Sequence, residues 1–532
     1  MFVYAYWAKL SKKSKMDFIA GVNRQQMQLS SMEDAISQDN IVRFVDAFVE
    51  KLDIEKLGFQ VLKLQKEGRP AFDRKVLLKL YFYGYLNGIR SSRRLERECA
   101  RNIELHWLLE GRRPNYHTIA DFRKHNPDAL GNTFKLFVLF LKDMDLIGGV
   151  TIAIDGTKAR AHNSKKNNYN PKKIERHLKR IEEQTQVYLQ EMDENDRRES
   201  EPKVKNIKEK LERLATQKIR YEQLAHQLEQ SGDPQISTTD ADARALLVHG
   251  QVVEVSYNVQ AAVDEQHKLV VATHTINRND RNALSDIALE AKENMQSEGF
   301  TAIADKGYHN GREIETCQNN EITTIVAESV KVNSNEHGTT PDYLVDKFIY
   351  NSDDDTYICP QGHTLTTTGT WHKKTRERDS YQFKKYRTPA CKTCPVKHLC
   401  TGRKDGGREI ERSQYAESVS INKNNYINNP DLYRKRQEIN EHIFGTIKRV
   451  WGFNYTNLKG LKKVNGEWSL IMTVYNIKRT AKIMGVEELI EKIRSWEPKY
   501  PPIKPGKDAY RPNLAAIIDL WAIGNYKMKT AA

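Results

Sequence analysis

Long apolar runs are missing from this chain of 532 residues, although hydrophobic residues make up 39 % of it. No stretch reaches the roughly 18 apolar residues that a membrane-crossing helix needs, so a transmembrane helix is excluded by hydropathy. A secretory leader is missing too: the opening MFVYAYWAKLSKKSK puts its apolar residues before its lysines, the reverse of a signal peptide. The expectation is a cytoplasmic, nucleoid-associated protein, with residues 1–16 a dispensable extension and Met16 an alternative start. Cysteine is scarce, at six residues, which does not read as a disulfide framework. Acid is in deficit: 70 Asp and Glu stand against 85 Lys and Arg, for a formal charge of +15. Such an excess favours a polyanionic partner, although RNA, a ribosomal surface or an anionic membrane would suit it as well as DNA. The length allows more than one compact unit.

Against that background, Tyr433–Gly452 (YRKRQEINEHIFGTIKRVWG) has helical periodicity. Ile439, Ile443, Ile447 and Val450, with Trp451 beside them, form one stripe that should face a core. Glu441 lies nearly opposite, Lys448 follows two turns later on the same face as Glu441, and Gly445 keeps the space between them low. Two further stretches share a grammar. In GVTIAIDGTKARAH (Gly149–His162) a short β-prone run leads to Asp155, then Gly156, Lys158, Arg160 and His162. In FTAIADKGYHNG (Phe300–Gly311) a similar run leads to Asp305, then Lys306, Gly307 and Tyr308. Taken singly, each Asp reads as a turn former or cap, and the helix as an ordinary amphipathic one. Together, Asp155, Asp305 and Glu441 make a candidate three-carboxylate metal site. Crowded carboxylates need a cation, and Mg²⁺ prefers hard oxygen ligands.

At these residues the chain resembles the DDE transposases of bacterial insertion sequences, which have an RNase H-like catalytic core. The words that carry the resemblance are DGTKARAH, ADKGY and EHIFGTIKRVWGF, with TDADAR (Thr239–Arg244), YNVQAAVD (Tyr257–Asp264) and EWSLIMTVYNIKR (Glu467–Arg479) in the same order. The resemblance implies that Asp155, Asp305 and Glu441 bind two Mg²⁺ ions, with Mn²⁺ able to substitute, for DNA cleavage and strand transfer. It implies a basic DNA path of Lys158, Arg160, Arg436, Lys448 and Arg449, double-stranded terminal repeats and target DNA as partners, and a homodimer. One spacing departs: many relatives have three residues between the Arg and the Glu, whereas four separate Arg436 from Glu441. Glu438 is the rival acid, but Gly445 rather than a base lies seven residues beyond it. An RNase H-like nuclease without strand transfer and an inactive DNA-binding relative are the alternatives.

The expected fold class is α/β: an RNase H-like mixed sheet with flanking helices, an all-α N-terminal domain, an inserted helical hairpin and a small zinc-ribbon-like insertion. Residues 17–148 read as short helices, with Phe72–Asn87 buried, one helix from Ser91 or Ser92 to Gly111, and another opened by Thr118 and Asp121. Arg90, Arg93, Arg94, Arg97 and Arg101 suit a helix-turn-helix-like DNA reader or a solvated bundle face equally; the resemblance, which includes an InsH-like N-terminal region, favours DNA. The catalytic domain should start at 149–330, with a heptad-patterned antiparallel hairpin inserted at 172–230, and resume at 429–485. Asp240 and Asp242 read as loop acids rather than ligands. Residues 331–428 hold Cys359, Cys391, Cys394 and Cys400, a pattern that fits a closed structural Zn²⁺ site or reduced thiols, with His363 and His398 able to substitute. Cys99 and Cys317 read as buried apolar residues. A tail, 486–532, holds a short apolar helix at Leu514–Ile523.

Overall fold

A computed structural model describes residues 25, 29–60, 71–196, 201–248, 252–328, 339–376, 379–404 and 406–500. The expectations for Met16 and for Leu514–Ile523 lie outside them.

The N-terminal part is helical as expected. Asn40 caps α1 (Ile41–Lys51), whose Phe44, Val45, Phe48 and Val49 face inward. Helix α2 (Arg74–Leu86) is buried nearly all round, in keeping with its apolar and aromatic sequence. The single helix expected after Ser91 is two helices, α3 (Ser92–Arg101) and α4 (Ile103–Leu108). Asn102 divides them because its side chain accepts the N–H groups of Glu104 and Leu105, a capping role that suits Asn better than a helix interior. Helix α5 (Tyr116–His125) begins ahead of Thr118, and its cap is Asn115, not a Thr118–Asp121 box. Helix α6 (Pro127–Asp143) completes this part.

The central sheet is mixed. Its strands are β1 (Thr151–Arg160), β4 (Arg244–Val248), β5 (Val252–Asp264), β6 (Val270–Ile276), β7 (Phe300–Ala304) and β8 (Ile322–Val326). Between β1 and β4 the chain forms the short pair β2 (Asn168–Tyr169) and β3 (Ile236–Ser237), at the base of the helical hairpin α7 (Pro171–Asp196) and α8 (Glu201–Ser231). Strand β5 runs antiparallel to β1 along one edge, and its other edge pairs first with β4 and then with β6. On the opposite side β1 pairs parallel with β7, and β7 with β8. Helix α9 (Leu284–Met295) precedes β7, and α10 (Gly311–Gln318) joins β7 to β8 as a parallel crossover. The hairpin has a satellite core of Tyr169, Ile174, Leu224 and Leu228, apart from the main core.

The cysteine-bearing segment is a second sheet of short strands, β9 (Ile349–Asn351), β10 (Thr356–Ile358), β11 (Thr364–Thr367), β12 (His372–Arg376), β13 (Asp379–Arg387) and, after α11 (Lys397–Cys400), β14 (Ile410–Ser413). They run β12-β13-β11-β10-β9 with β14 on β13. Helix α12 (Ala416–Asn428) leads back to the main sheet. Helix α13 (Pro430–Phe444) crosses it and ends in a π-helical turn, Gly445–Val450. Helices α14 (Leu461–Met484) and α15 (Val486–Ser495) close the fold.

Ile439, Ile443 and Ile447 are buried as their spacing predicts, but Val450 is 78 % exposed. The wider π turn rotates it off the stripe that a regular helix would have continued. One continuous apolar core runs from Ile36 to Trp496 and takes in both the N-terminal helices and the central sheet. Cys99 and Cys317 are buried in it.

Candidate active site

Asp155 is not at a strand end, as its sequence suggested. Strand β1 continues to Arg160 because β5 pairs with it throughout, whereas β7 covers only Thr151–Ile154. Asp155 therefore stands where β1 outruns its parallel neighbour. In register, Ile154 faces Ala304, the last residue of β7, and the next residue on each strand is an aspartate, Asp155 and Asp305. Two carboxylates thus meet at the carboxyl edge of parallel strands, where α/β sheets leave a crevice. The backbone N–H of Gly156 donates to Asp155 Oδ1 at 2.7 Å, and that of Gly307 to Asp305 Oδ1 at 2.7 Å.

A third carboxylate, Asp280, which no motif had marked, joins them from the turn before α9. Its carboxylate accepts from Asn258 Nδ2 at 2.7 Å and Gln260 Nε2 at 3.0 Å, and pairs with Lys158 Nζ at 3.2 Å. The glycine of each aspartate word makes room for this arrangement. A Cβ on Gly156 would stand 2.4 Å from Gln260 Nε2 and 2.6 Å from Asp280 Oδ1. One on Gly307 would stand 2.9 Å from Asp305 Oδ1 and 3.9 Å from Asp280 Cβ. Beneath them the fully buried Tyr308 donates its hydroxyl to Gln260 Oε1. Burial, then the charges of Asp280, Asp155 and Asp305, keep that phenol protonated.

Burial pushes the Asp155 carboxyl up to about 6, the Gly156 N–H and Arg436 oppose the shift, and Asp305 and Asp280 add to it. The nearest cation is Arg436 of α13, with Nη1 3.9 Å from Asp155 Oδ2. Arg436 also lies over the Tyr433 ring, 5.6 Å from its centroid. Burial raises the Tyr433 hydroxyl, Arg436 opposes, and the charge of Asp305 adds to the rise. The α13 face nearest the aspartates thus carries Tyr433 and Arg436. Glu441 lies one turn further on, exposed, and accepts from Gln437 Nε2 at 2.8 Å. Glu438, the rival acid, pairs with Lys268 at 3.4 Å, at the β5–β6 turn.

The bases divide. Lys448 is turned inward: its ammonium donates to Thr157 Oγ1 at 3.1 Å and to the Lys158 carbonyl at 3.0 Å, bracing the π turn against β1. Burial lowers its pKa against the pull of Glu254. Arg160 and Arg449 are exposed, as are Arg93 and Arg94 on α3, where Arg93 lies over Tyr116. Arg90 is not on that basic face: it is buried against Glu467. Asp240 and Asp242 accept the N–H groups of Gly460 and Leu461 and so cap α14.

Cys359, Cys391, Cys394 and Cys400 are all free thiols and line one small cavity with His363; His398 does not line it. Among the described residues, no group of three or more His, Cys, Asp or Glu side chains stands in metal-ligand spacing, at the aspartates or at the cysteines.

A transposase DDE domain model matches residues 358–481, and a second transposase domain model matches residues 30–125. Together the two matches support a DDE-type transposase of insertion sequences. No curated protein and no solved structure matches it. The DDE match takes in Glu441, Lys448 and the cysteine-bearing sheet but stops short of Asp155 and Asp305. A DDE domain implies an RNase H-like fold, a divalent metal and DNA binding, and the mixed sheet of this chain accords with that fold. Among the described residues no helix is long and apolar enough to cross a membrane.

Proposed function

We propose that this transposase cleaves phosphodiester bonds at the ends of a mobile DNA element and joins the freed 3′ end to target DNA. The observation that carries the reading is the pairing of Asp155 with Asp305 at one sheet edge, with Asp280 beside them: three carboxylates against two cations, Lys158 at 3.2 Å from Asp280 and Arg436 at 3.9 Å from Asp155. That donor set fits a divalent cation: hard carboxylate oxygens, crowded, and under-neutralised by the chain itself. Asp155 and Asp305 would hold Mg²⁺ or Mn²⁺, and Glu441 would complete the set by leaving Gln437. When bound, the metal neutralises the carboxylates and the scissile phosphate and eases both attack and departure of oxygen.

The chain's own groups do the rest. Arg436 is placed to take up phosphate charge once its hold on Asp155 is released. Exposed Arg160 and Arg449 line the approach, and such phosphate contacts position DNA without reading sequence. Lys448 and Lys158 are better seen as braces, since each already has buried partners. Arg93 and Arg94 are the candidates for contacting the terminal repeats. In the first step a water oxygen bonds to phosphorus and the 3′ oxygen leaves with a proton. In the second that 3′-hydroxyl oxygen bonds to a target phosphorus, and the target strand's own 3′ oxygen leaves with the proton. Cutting two ends in concert calls for a homodimer. We assign residues 149–330 and 429–485 to the catalytic domain, 17–148 to DNA recognition and 331–428 to the insertion.

Glu441 stands outside ligand spacing, and that one feature favours the rival reading of a DNA-binding protein without chemistry. The two part on cleavage of a duplex carrying the DNA that flanks this gene, with Mg²⁺. Glu441→Gln should lower cleavage by more than about 100-fold, because even outer partners of metal ligands cost 10–100-fold when removed. Equal rates would remove Glu441 from the site. Retained, salt-sensitive binding with no cleavage by the wild type would establish the rival.

A further inference from the structure

The insertion between Asp305 and Glu441 contains a feature that DNA cleavage does not use. Among the described residues its six strands enclose a small clustered core of five buried side chains, Phe348, Tyr357, Leu365, Tyr386 and Ile410. Units with so little apolar interior are ordinarily stapled by disulfides or a metal. The four cysteines of this unit are all unpaired, so no disulfide serves. They converge all the same. Cys359, Cys391, Cys394 and Cys400 line a single cavity of about 20 Å³, room for one small occupant, with Cys359 and Cys400 packed on the apolar core.

The backbone around the sulfurs is shaped for a thiolate. Cys359 opens a tight turn between β10 and β11: its N–H donates to the His363 carbonyl at 2.9 Å, and its carbonyl accepts from Gly362 at 2.8 Å. The N–H of His363 in turn donates to Cys359 Sγ at 3.4 Å. Gly362 sits at φ +79°, the left-handed region, so a residue with a side chain would strain this turn. On the other wall, Cys391 and Cys394 are separated by two residues, and Cys400 ends α11. Gly407 closes against them: a Cβ there would stand 2.3 Å from Cys391 Cβ and 3.0 Å from its sulfur. Two glycines and a directed N–H hold four sulfurs around one space.

We propose that Cys359, Cys391, Cys394 and Cys400 bind one structural Zn²⁺ ion that staples the insertion. Four half-buried thiols, drawn from two turns and a helix end around one space, are the donor set of tetrahedral structural zinc sites once ionised. The thiols stand outside ligand spacing as described, so binding draws them inward and releases their protons to solvent. No electron transfer is involved. His363 lines the same cavity and is the donor nearest to hand should one cysteine be lost.

The test uses the full-length chain purified under reducing conditions. Elemental analysis should find about one zinc per chain, and a mercurial reagent should release it as the thiols react. Exchange with Co²⁺ alone should give thiolate-to-cobalt charge-transfer bands and the intense visible bands of tetrahedral cobalt. Cys391→Ser with Cys394→Ser should abolish both signals. Because that variant could misfold, the wild-type cobalt spectrum stands as the independent readout. Zinc-free protein with four reactive thiols and no cobalt spectrum would overturn the proposal, as would a Cys391–Cys394 disulfide. Either result would leave the cleavage reading intact, since that rests on Mg²⁺ and the aspartates.

Discussion

Asp155 is an anion in surroundings that disfavour one. Burial, and then the charges of Asp305 and Asp280, raise its pKa from 3.8 to about 6, despite the Gly156 N–H and Arg436. The sign of the consequence follows. A carboxyl whose folded pKa is raised binds its proton better when folded, so it costs nothing below the unfolded pKa. The cost grows as pH rises from about 4 to about 6 and is constant above. Asp155→Asn removes that charge. Without divalent metal the variant should therefore unfold at a higher temperature than the wild type above pH 6, with the two converging near pH 4. Added Mg²⁺ should stabilise the wild type and not the variant, while the variant loses cleavage. A difference in melting temperature that does not change with pH would contradict this account. The same site shows what a sequence can reveal at this scale. Asp155 and Asp305 were legible because each stands in a word whose glycine has a steric task, keeping the space that Asp280 fills. Asp280 itself was not legible, since it sits in the polar turn NRNDRN and acquires meaning from Asn258, Gln260 and Lys158, which lie on other strands. Lys448 was misjudged for a related reason: helical phase put it on the face of Glu441, but its long side chain folds back to Thr157.

Helices α14 and α13 offer a matched test of how tightly the elements are fitted. Gly466 lies inside α14, where alanine is ordinarily better by about 1 kcal/mol. Here a Cβ would meet Pro127 Cα at 2.5 Å and its carbonyl oxygen at 2.7 Å, both backbone atoms at the start of α6. Backbone cannot step aside as a side-chain tip can, and overpacking of this kind costs about 1–3 kcal/mol. Gly466→Ala should thus destabilise in urea unfolding, by an amount that overrides its propensity gain. Gly445, where α13 meets the π turn, is the opposite case. It has helical φ of −60° and no atom within 4 Å of a would-be Cβ, so Gly445→Ala should be neutral or stabilising by up to about 1 kcal/mol. If both substitutions had the same sign, close approach of α14 to α6 would not be what Gly466 serves. Elements of this length were mostly legible from periodicity, as α2, the hairpin and the strands around Asp155 and Asp305 attest. Their ends were less so. Asn102 opened a second helix where one had been expected, Asn115 took the capping role that Thr118 had seemed to hold, and the π turn broke the phase that would have buried Val450.

For the whole molecule, the N-terminal helices are not a reader on a tether. A buried charge cluster joins them to the catalytic part: Glu467 of α14 is fully buried, 2.7 Å from Arg90 and 3.6 Å from Arg123, and accepts the N–H of Asn457 at 2.9 Å. Arg90 also donates to the Tyr455 carbonyl at 2.8 Å, and Tyr455 bridges to Arg160 at the far end of β1. The N-terminal helices, α14 and the strand bearing Asp155 therefore meet at one polar centre. Burial alone would raise the Glu467 pKa, but the charges of Arg123 and Arg90 outweigh it, and the net shift is downward from 4.5. A carboxyl lowered in the fold contributes stability above its unfolded pKa, and the contribution is lost as pH falls through the folded value. Glu467→Gln should then cost about 3–5 kcal/mol at pH 7, because two arginines are left buried without their partner. The gap between variant and wild type should narrow once the pH drops below about 4.5, where the unfolded chain takes up a proton that folded Glu467 still refuses. Urea unfolding of both proteins at pH 7, 5 and 3.5 reads this directly. A cost under about 1 kcal/mol at pH 7, or one that is unchanged at pH 3.5, would mean that apolar packing along α6 and α14, rather than this ion cluster, holds the two parts together.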